Sequence, residues 1–136
     1  MNGIVVLALA VLLTVVLGLA FSIKNGRFSR QDDSERLGID ELGSQLGERA
    51  TLVQFSSAFC APCRATRVLL ADIAAKTPGV VTIEIDAEER LALTRKLNIL
   101  RTPTVLVLDA KGRVTRRASG LPRREQVLAA LNHAVV

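Results

Sequence analysis

The chain has 136 residues, 18 Lys and Arg against 13 Asp and Glu for a net charge of +5, and 49% hydrophobic side chains. That length fits one domain of about 100 residues plus an extra segment. A mild basic excess with no Trp or Tyr and four Phe lacks the stacking platforms of a nucleic-acid binder, and two Cys with one His are too few for a tetrahedral metal site within one chain.

Residues 3–23, GIVVLALAVLLTVVLGLAFSI, carry no charge, and Thr14 and Ser22 are their only polar side chains. One helix of that length crosses about 30 Å of hydrocarbon, so residues 3–23 are expected to be a single-pass, uncleaved membrane anchor. A secretory signal would need a basic n-region, a shorter apolar core and a small-residue cleavage site. Here MNG has no basic side chain, and Gly18-Leu19-Ala20 falls inside the apolar run. Lys24, Arg27, Arg30 and Arg36 follow the helix. Such residues stay on the cytoplasmic side, which predicts a cytoplasmic C-terminal domain. Residues 24–36 are polar and mixed in charge and read as a linker, with the folded domain over residues 37–136.

Within the domain, IDELGSQLGE places Ile39, Leu42 and Leu46 at helical spacing and predicts a short helix ending near Gly47. TLVQFSS reads as a buried strand, and PCRATRVLLADIAAKT as a helix with Pro62 in its first turn and Pro78-Gly79 as its stop. VVTIEID is the next strand. AEERLALTRKLNI is the next helix, with Glu88-Glu89 opening it favourably for the dipole and Leu91, Leu93, Leu97 and Ile99 mostly on one side. TPTVLVLD, AKG and RVTRRAS read as a β-hairpin, and RREQVLAALNHAVV as a closing helix. Alternating strands and helices predict an α/β fold with a helix-covered sheet.

Both cysteines sit where a strand gives way to a helix. Cys60 and Cys63 are three residues apart, so a helix beginning near Ala61 puts them on one side of its first turn, within the ~4.4–6.8 Å between Cα atoms that a disulfide needs. At a helix N-terminus, free N–H groups and the dipole stabilise a Cys60 thiolate, the nucleophilic form. Metal binding would require ligands from outside the chain, and a structural bridge across two residues restrains the unfolded chain little. A redox-active dithiol is favoured over both. Arg64 and Arg67 oppose the dipole at the helix start and add positive potential near Cys60. The competing reading of these two arginines is ordinary solvated surface.

A strand, Cys60-Ala61-Pro62-Cys63 at a helix start, and Thr102-Pro103-Thr104 opening a later strand together resemble the thioredoxin family over residues 37–136. The resemblance implies a thioredoxin fold, a central mixed sheet flanked by helices, whose first strand is short or hidden near Leu37. It implies that Cys60 attacks and Cys63 resolves a mixed disulfide, with no cofactor beyond the redox-active disulfide. It also implies substrate contacts at Phe59, Ala61, Pro62, Thr102 and Pro103, the last matching the family's cis-proline. Phe59 stands in place of the family's tryptophan, Ala61 in place of the commonest glycine, and Gly112 and Gly120 at its hairpin and final-turn glycines. Gln54 and Thr82 stand where a buried aspartate and its lysine neighbour are usual, a neutral pair able to hydrogen-bond without desolvating a charge. Gln54, Arg64 and Arg67 are therefore the expected tuning residues, and Cys63 is expected to lack a carboxylate base.

Lys111, Arg113, Arg116, Arg117, Arg123 and Arg124 form a stretch without an acid. It suits acidic headgroups or an acidic partner, although a solvated hairpin edge protected by charge is the preferred reading. His133 reads as solvated. The expected function is a membrane-tethered, monomeric thiol–disulfide oxidoreductase acting as a reductant on protein or small-molecule disulfides, recharged by a thiol reductase or a membrane electron donor. The alternative is a redox-sensing or sulfur-carrier module for a membrane or sulfur-metabolism partner.

Overall fold

Seven consecutive residues, Ala50–Ser56 (β2), are buried, as a strand covered on both faces requires. The computed structural model describes residues 2–30 and 35–135. In it β2 pairs in parallel with Val80–Asp86 (β3) and antiparallel with Thr104–Asp109 (β4). Val114–Ser119 (β5) returns antiparallel beside β4. Side-chain alternation along β2 divides the core. Val53 and Phe55 join Leu106, Leu108 and Leu97 on one face, while Leu52 packs with Leu70 and Ile73 on the other. The second face is covered by Ala61–Lys76 (α3) and Arg124–Val135 (α5). Gln54 shares the Leu52 side of the pleat, beneath α3.

The expected order of strands and helices is observed, with two helices shorter than expected. Ile39–Leu42 (α2) stops at Gly43, whose φ of 73° closes a left-handed cap. Leu91–Lys96 (α4) starts later than its apolar pattern implied. The Asp86 carboxylate accepts the N–H of Glu88 at 2.8 Å, a local turn that competes with helix. Glu88-Glu89 therefore precede the helix instead of opening it. Leu91 is exposed, whereas Leu93, Leu97 and Ile99 are buried.

The stretch read as a linker requires correction. Phe28–Arg30 (β1) pairs antiparallel with β5, Phe28 facing Ala118, and completes a sheet of order β1-β5-β4-β2-β3. Phe28 packs against the α3/α5 core. Arg36 bridges Arg113, and Leu37 donates its N–H to the Gly112 carbonyl at 2.8 Å. The ordered domain thus begins before Leu37. A three-residue strand with one apolar side chain shows no alternation to read, and pairing of its backbone is what holds it. Residues 31–34 of that stretch lie outside the described residues.

The β4–β5 turn follows from Asp109, whose carboxylate accepts the N–H groups of Lys111 and Arg113 at 2.9 Å each. Gly112 has φ of 85°, and a Cβ there would lie 2.3 Å from the Leu37 carbonyl oxygen. Gly112→Ala is expected to destabilise by about 3 kcal/mol through strain and a broken contact, read as a lower urea midpoint at unchanged slope. An unchanged midpoint would contradict this account of the turn.

Asn2–Lys24 (α1) is exposed along its whole length. It is long and apolar enough to cross a membrane by length and composition.

Candidate functional site

The chain leaves β2 through Ser57, Ala58 and Phe59 and enters α3 at Cys60. Phe59 has φ of 60° and is 108% exposed, an unfavourable backbone setting for an aromatic residue that pushes its ring fully into solvent. Cys60 is the N-cap of α3, its Sγ accepting the Cys63 N–H at 3.2 Å, with Pro62 in the first turn. The two cysteines form a disulfide with Cα atoms 5.2 Å apart. Their environments differ. Cys60 is half-buried, while Cys63 is 1% exposed.

The Thr102-Pro103 peptide is cis and stands over this helix start. Thr102 Oγ1 donates to Cys60 Sγ at 3.8 Å and shares a 2.9 Å hydrogen bond with Ser57 Oγ. A hydroxyl has one hydrogen, so Ser57 donates to Thr102 and Thr102 to sulfur. Pro103 is buried, and its carbonyl accepts the Gly120 N–H at 2.7 Å. Phe59, Ala61 and Pro62, which flank Cys60 in the chain, are exposed apolar side chains, as are Leu100, two residues before Thr102, and Leu121.

Gln54 is 2% exposed and donates from Nε2 to the Cys63 carbonyl at 2.7 Å. It therefore holds the first turn of α3. Thr82 is exposed on β3, so the Gln54–Thr82 hydrogen bond foreseen from the resemblance gives way to one with the dithiol helix itself. Arg64 lies exposed on α3. Arg67 is drawn away from Cys60 into a two-pronged ion pair with Glu84, which also accepts from Ser56 Oγ at 2.9 Å. These hydrogen bonds from Arg67 raise the arginine and hold the Glu84 carboxyl below its ordinary range, against the opposing effect of partial burial.

A carboxyl whose pKa is depressed on folding adds stability above its unfolded pKa and loses it as pH falls through the folded value. Glu84→Gln is accordingly expected to lower stability slightly at neutral pH and not at pH well below the carboxylate range. Urea midpoints that differ equally at both pH values would refute this. Ser57 and Glu84 escaped the sequence reading, because a serine three residues before Cys60 and an alternating Glu on a strand carry no spacing signal.

The Thioredoxin family matches residues 40–133, which run from within α2 to within α5. The chain belongs to the thioredoxin family. A thioredoxin of Alicyclobacillus acidocaldarius is 31% identical over 86 residues, 62% of this chain and 81% of that one. Thioredoxin H-type 1 of tobacco is 28% identical over 87 residues, 64% of this chain and 68% of that one. Among solved structures, a thioredoxin point mutant from Halobacterium salinarum superposes with a TM-score of 0.61 at 19% identity, covering 72% of this chain and 83% of that one, a likeness of fold. Membership makes Cys60–Cys63 the redox disulfide of a thiol–disulfide oxidoreductase, chemistry that thioredoxins perform without a further cofactor. Among the described residues no group of three or more His, Cys, Asp or Glu is placed to hold a metal.

Proposed function

We propose that this thioredoxin is a membrane-tethered reductant in which Cys60 attacks substrate disulfides. The observation that carries the reading is the asymmetry of the pair. Cys60 is reachable and caps α3, whereas Cys63 is buried beneath it. In the reduced protein, the helix N-terminus and the Thr102 hydroxyl favour the Cys60 thiolate. That thiolate bonds to one substrate sulfur and expels the other as a thiolate. Cys63, deprotonated, then bonds to Cys60 and expels the second substrate thiolate. Two electrons pass to the substrate, the protein becomes the disulfide, and solvent protonates the released sulfurs. Phe59 and the Thr102-Pro103 loop supply the surface against which the substrate chain lies.

The tether rests on the 23 residues of α1, uncharged as far as Lys24 and apolar but for Asn2, Thr14 and Ser22. Lys24 and Arg27 immediately after it favour a cytoplasmic domain, where the glutathione and thioredoxin pools keep thiols reduced and a dithiol donates electrons. The partners are then disulfide substrates and an upstream thiol reductase. Labelling intact cells with a membrane-impermeant thiol reagent after reduction should leave Cys60 unmodified until lysis. Modification without lysis would put the domain outside and remove the ground for reduction as its net direction.

A further inference from the structure

The end of α1 does not hang free of the domain. Gly26 donates its N–H to the Ser119 carbonyl at 2.7 Å, and a Cβ on Gly26 would lie 2.0 Å from the Leu121 carbonyl oxygen. Arg101 reaches across from the domain. Its Nη2 donates to Asn25 Oδ1 and to the Ser119 carbonyl, and its guanidinium lies 5.7 Å from the centre of the Phe21 ring. Between these parts is an open cavity of about 580 Å³, whose lining among the described residues includes Lys24, Arg27, Arg101 and Arg117 and no acidic side chain. Arg117 also donates to the Leu97 carbonyl and feels Glu35, which does not line the cavity. The basic stretch from Lys111 onward is thus split. Arg113 pairs with Asp109 at 3.3 Å, and Arg117 turns toward α1.

The depth of this cavity follows from α1. Lys24 is the first charge after the apolar run and would mark the level at which the helix leaves hydrocarbon, with Phe21 one turn earlier. On the reading of α1 as a membrane span, we propose that this junction cavity binds the phosphate of an anionic phospholipid headgroup. Four cations with no acid among the described lining residues complement the net negative charge of an anionic headgroup, whereas the ammonium of a zwitterionic one would meet like charge, so anionic lipids are favoured. Arg101 directly precedes Thr102, whose hydroxyl contacts Cys60 Sγ. A headgroup held by Arg101 therefore fixes the substrate loop at the membrane surface, beside exposed Leu100 and Leu121.

The test uses the full chain in nanodiscs of phosphatidylcholine with a minority of phosphatidylglycerol, followed by detergent extraction and native mass spectrometry. Wild type should carry phosphatidylglycerol in preference to phosphatidylcholine. An Arg27→Gln, Arg101→Gln variant of equal urea stability should retain about ten-fold less or lower still, and Lys111→Gln, at the far end of the hairpin, should retain as much as wild type. Free glycerol phosphate at millimolar concentration should not displace the lipid. Entry into discs without phosphatidylglycerol preference, equal retention by the double variant, or displacement by glycerol phosphate would overturn the headgroup site while leaving the tether standing. Failure to enter the discs would overturn the tether itself.

Discussion

Cys60→Ser is expected to abolish disulfide reduction, lowering turnover at least about a thousand-fold because the covalent step loses its nucleophile, while Cys63→Ser stops the reaction one step later. In the second variant Cys60 still attacks, but nothing inside the protein can expel the substrate, so mixed disulfides accumulate. Non-reducing gels of cells carrying each variant check this. Many trapped proteins with Cys63→Ser and none with Cys60→Ser are the expected pattern. A single trapped species would favour the alternative of a dedicated sensor or carrier, and trapping by Cys60→Ser instead would reverse the assigned roles. The expectation rests on exposure, since both sulfurs belong to one helix turn and only Cys60 faces solvent.

Gln54→Asp is expected to destabilise the domain by about 3 kcal/mol at neutral pH. The substitution removes the Nε2 donor from the Cys63 carbonyl and buries a carboxylate in its place. Protonating that carboxyl restores a donor, so its pKa in the folded chain is raised above the unfolded value. The folded state then binds more protons, and stability falls as pH rises between the unfolded and folded pKa values. Urea midpoints of the variant should therefore approach wild type under acid conditions and diverge toward neutrality. The dithiol should respond as well. A carboxylate beside Cys63 gives the resolving step a base at a position where Gln54 supplies none, adding a titration to the pH profile of disulfide reduction. A profile unchanged by the substitution would exclude Gln54 as the position governing deprotonation of Cys63.

How much of this was legible depends on whether the signal was local. The C-x-x-C pair, its helix start and Pro62 lie within a few residues of one another, whereas the burial of Cys63 beside a reachable Cys60 came only from the structure. The long apolar run and the strands β2 to β5 announce themselves through composition and alternation. β1 did not, because three residues with one apolar side chain are held by backbone pairing to a strand almost ninety residues away. The partner of Gln54 was also out of reach. Its neighbour on the sheet is knowable from register, but which of helix and strand its amide turns to depends on the pleat and on the pitch of α3. Arg67 is a similar case, since a cation near Cys60 in sequence is claimed by Glu84 across the helix–strand contact.

The placement of β1 has a consequence for assembly. With β1 covering the outer side of β5, the two edges of the sheet are the three-residue β1, next to α1, and the seven-residue β3. β3 is the longer edge a foreign strand could join, and it lies at the end of the sheet away from the helix that would hold the protein in a bilayer. Docking there would strip water from the Arg67–Glu84 pair, a cost that opposes edge-to-edge pairing of one copy of this chain with another.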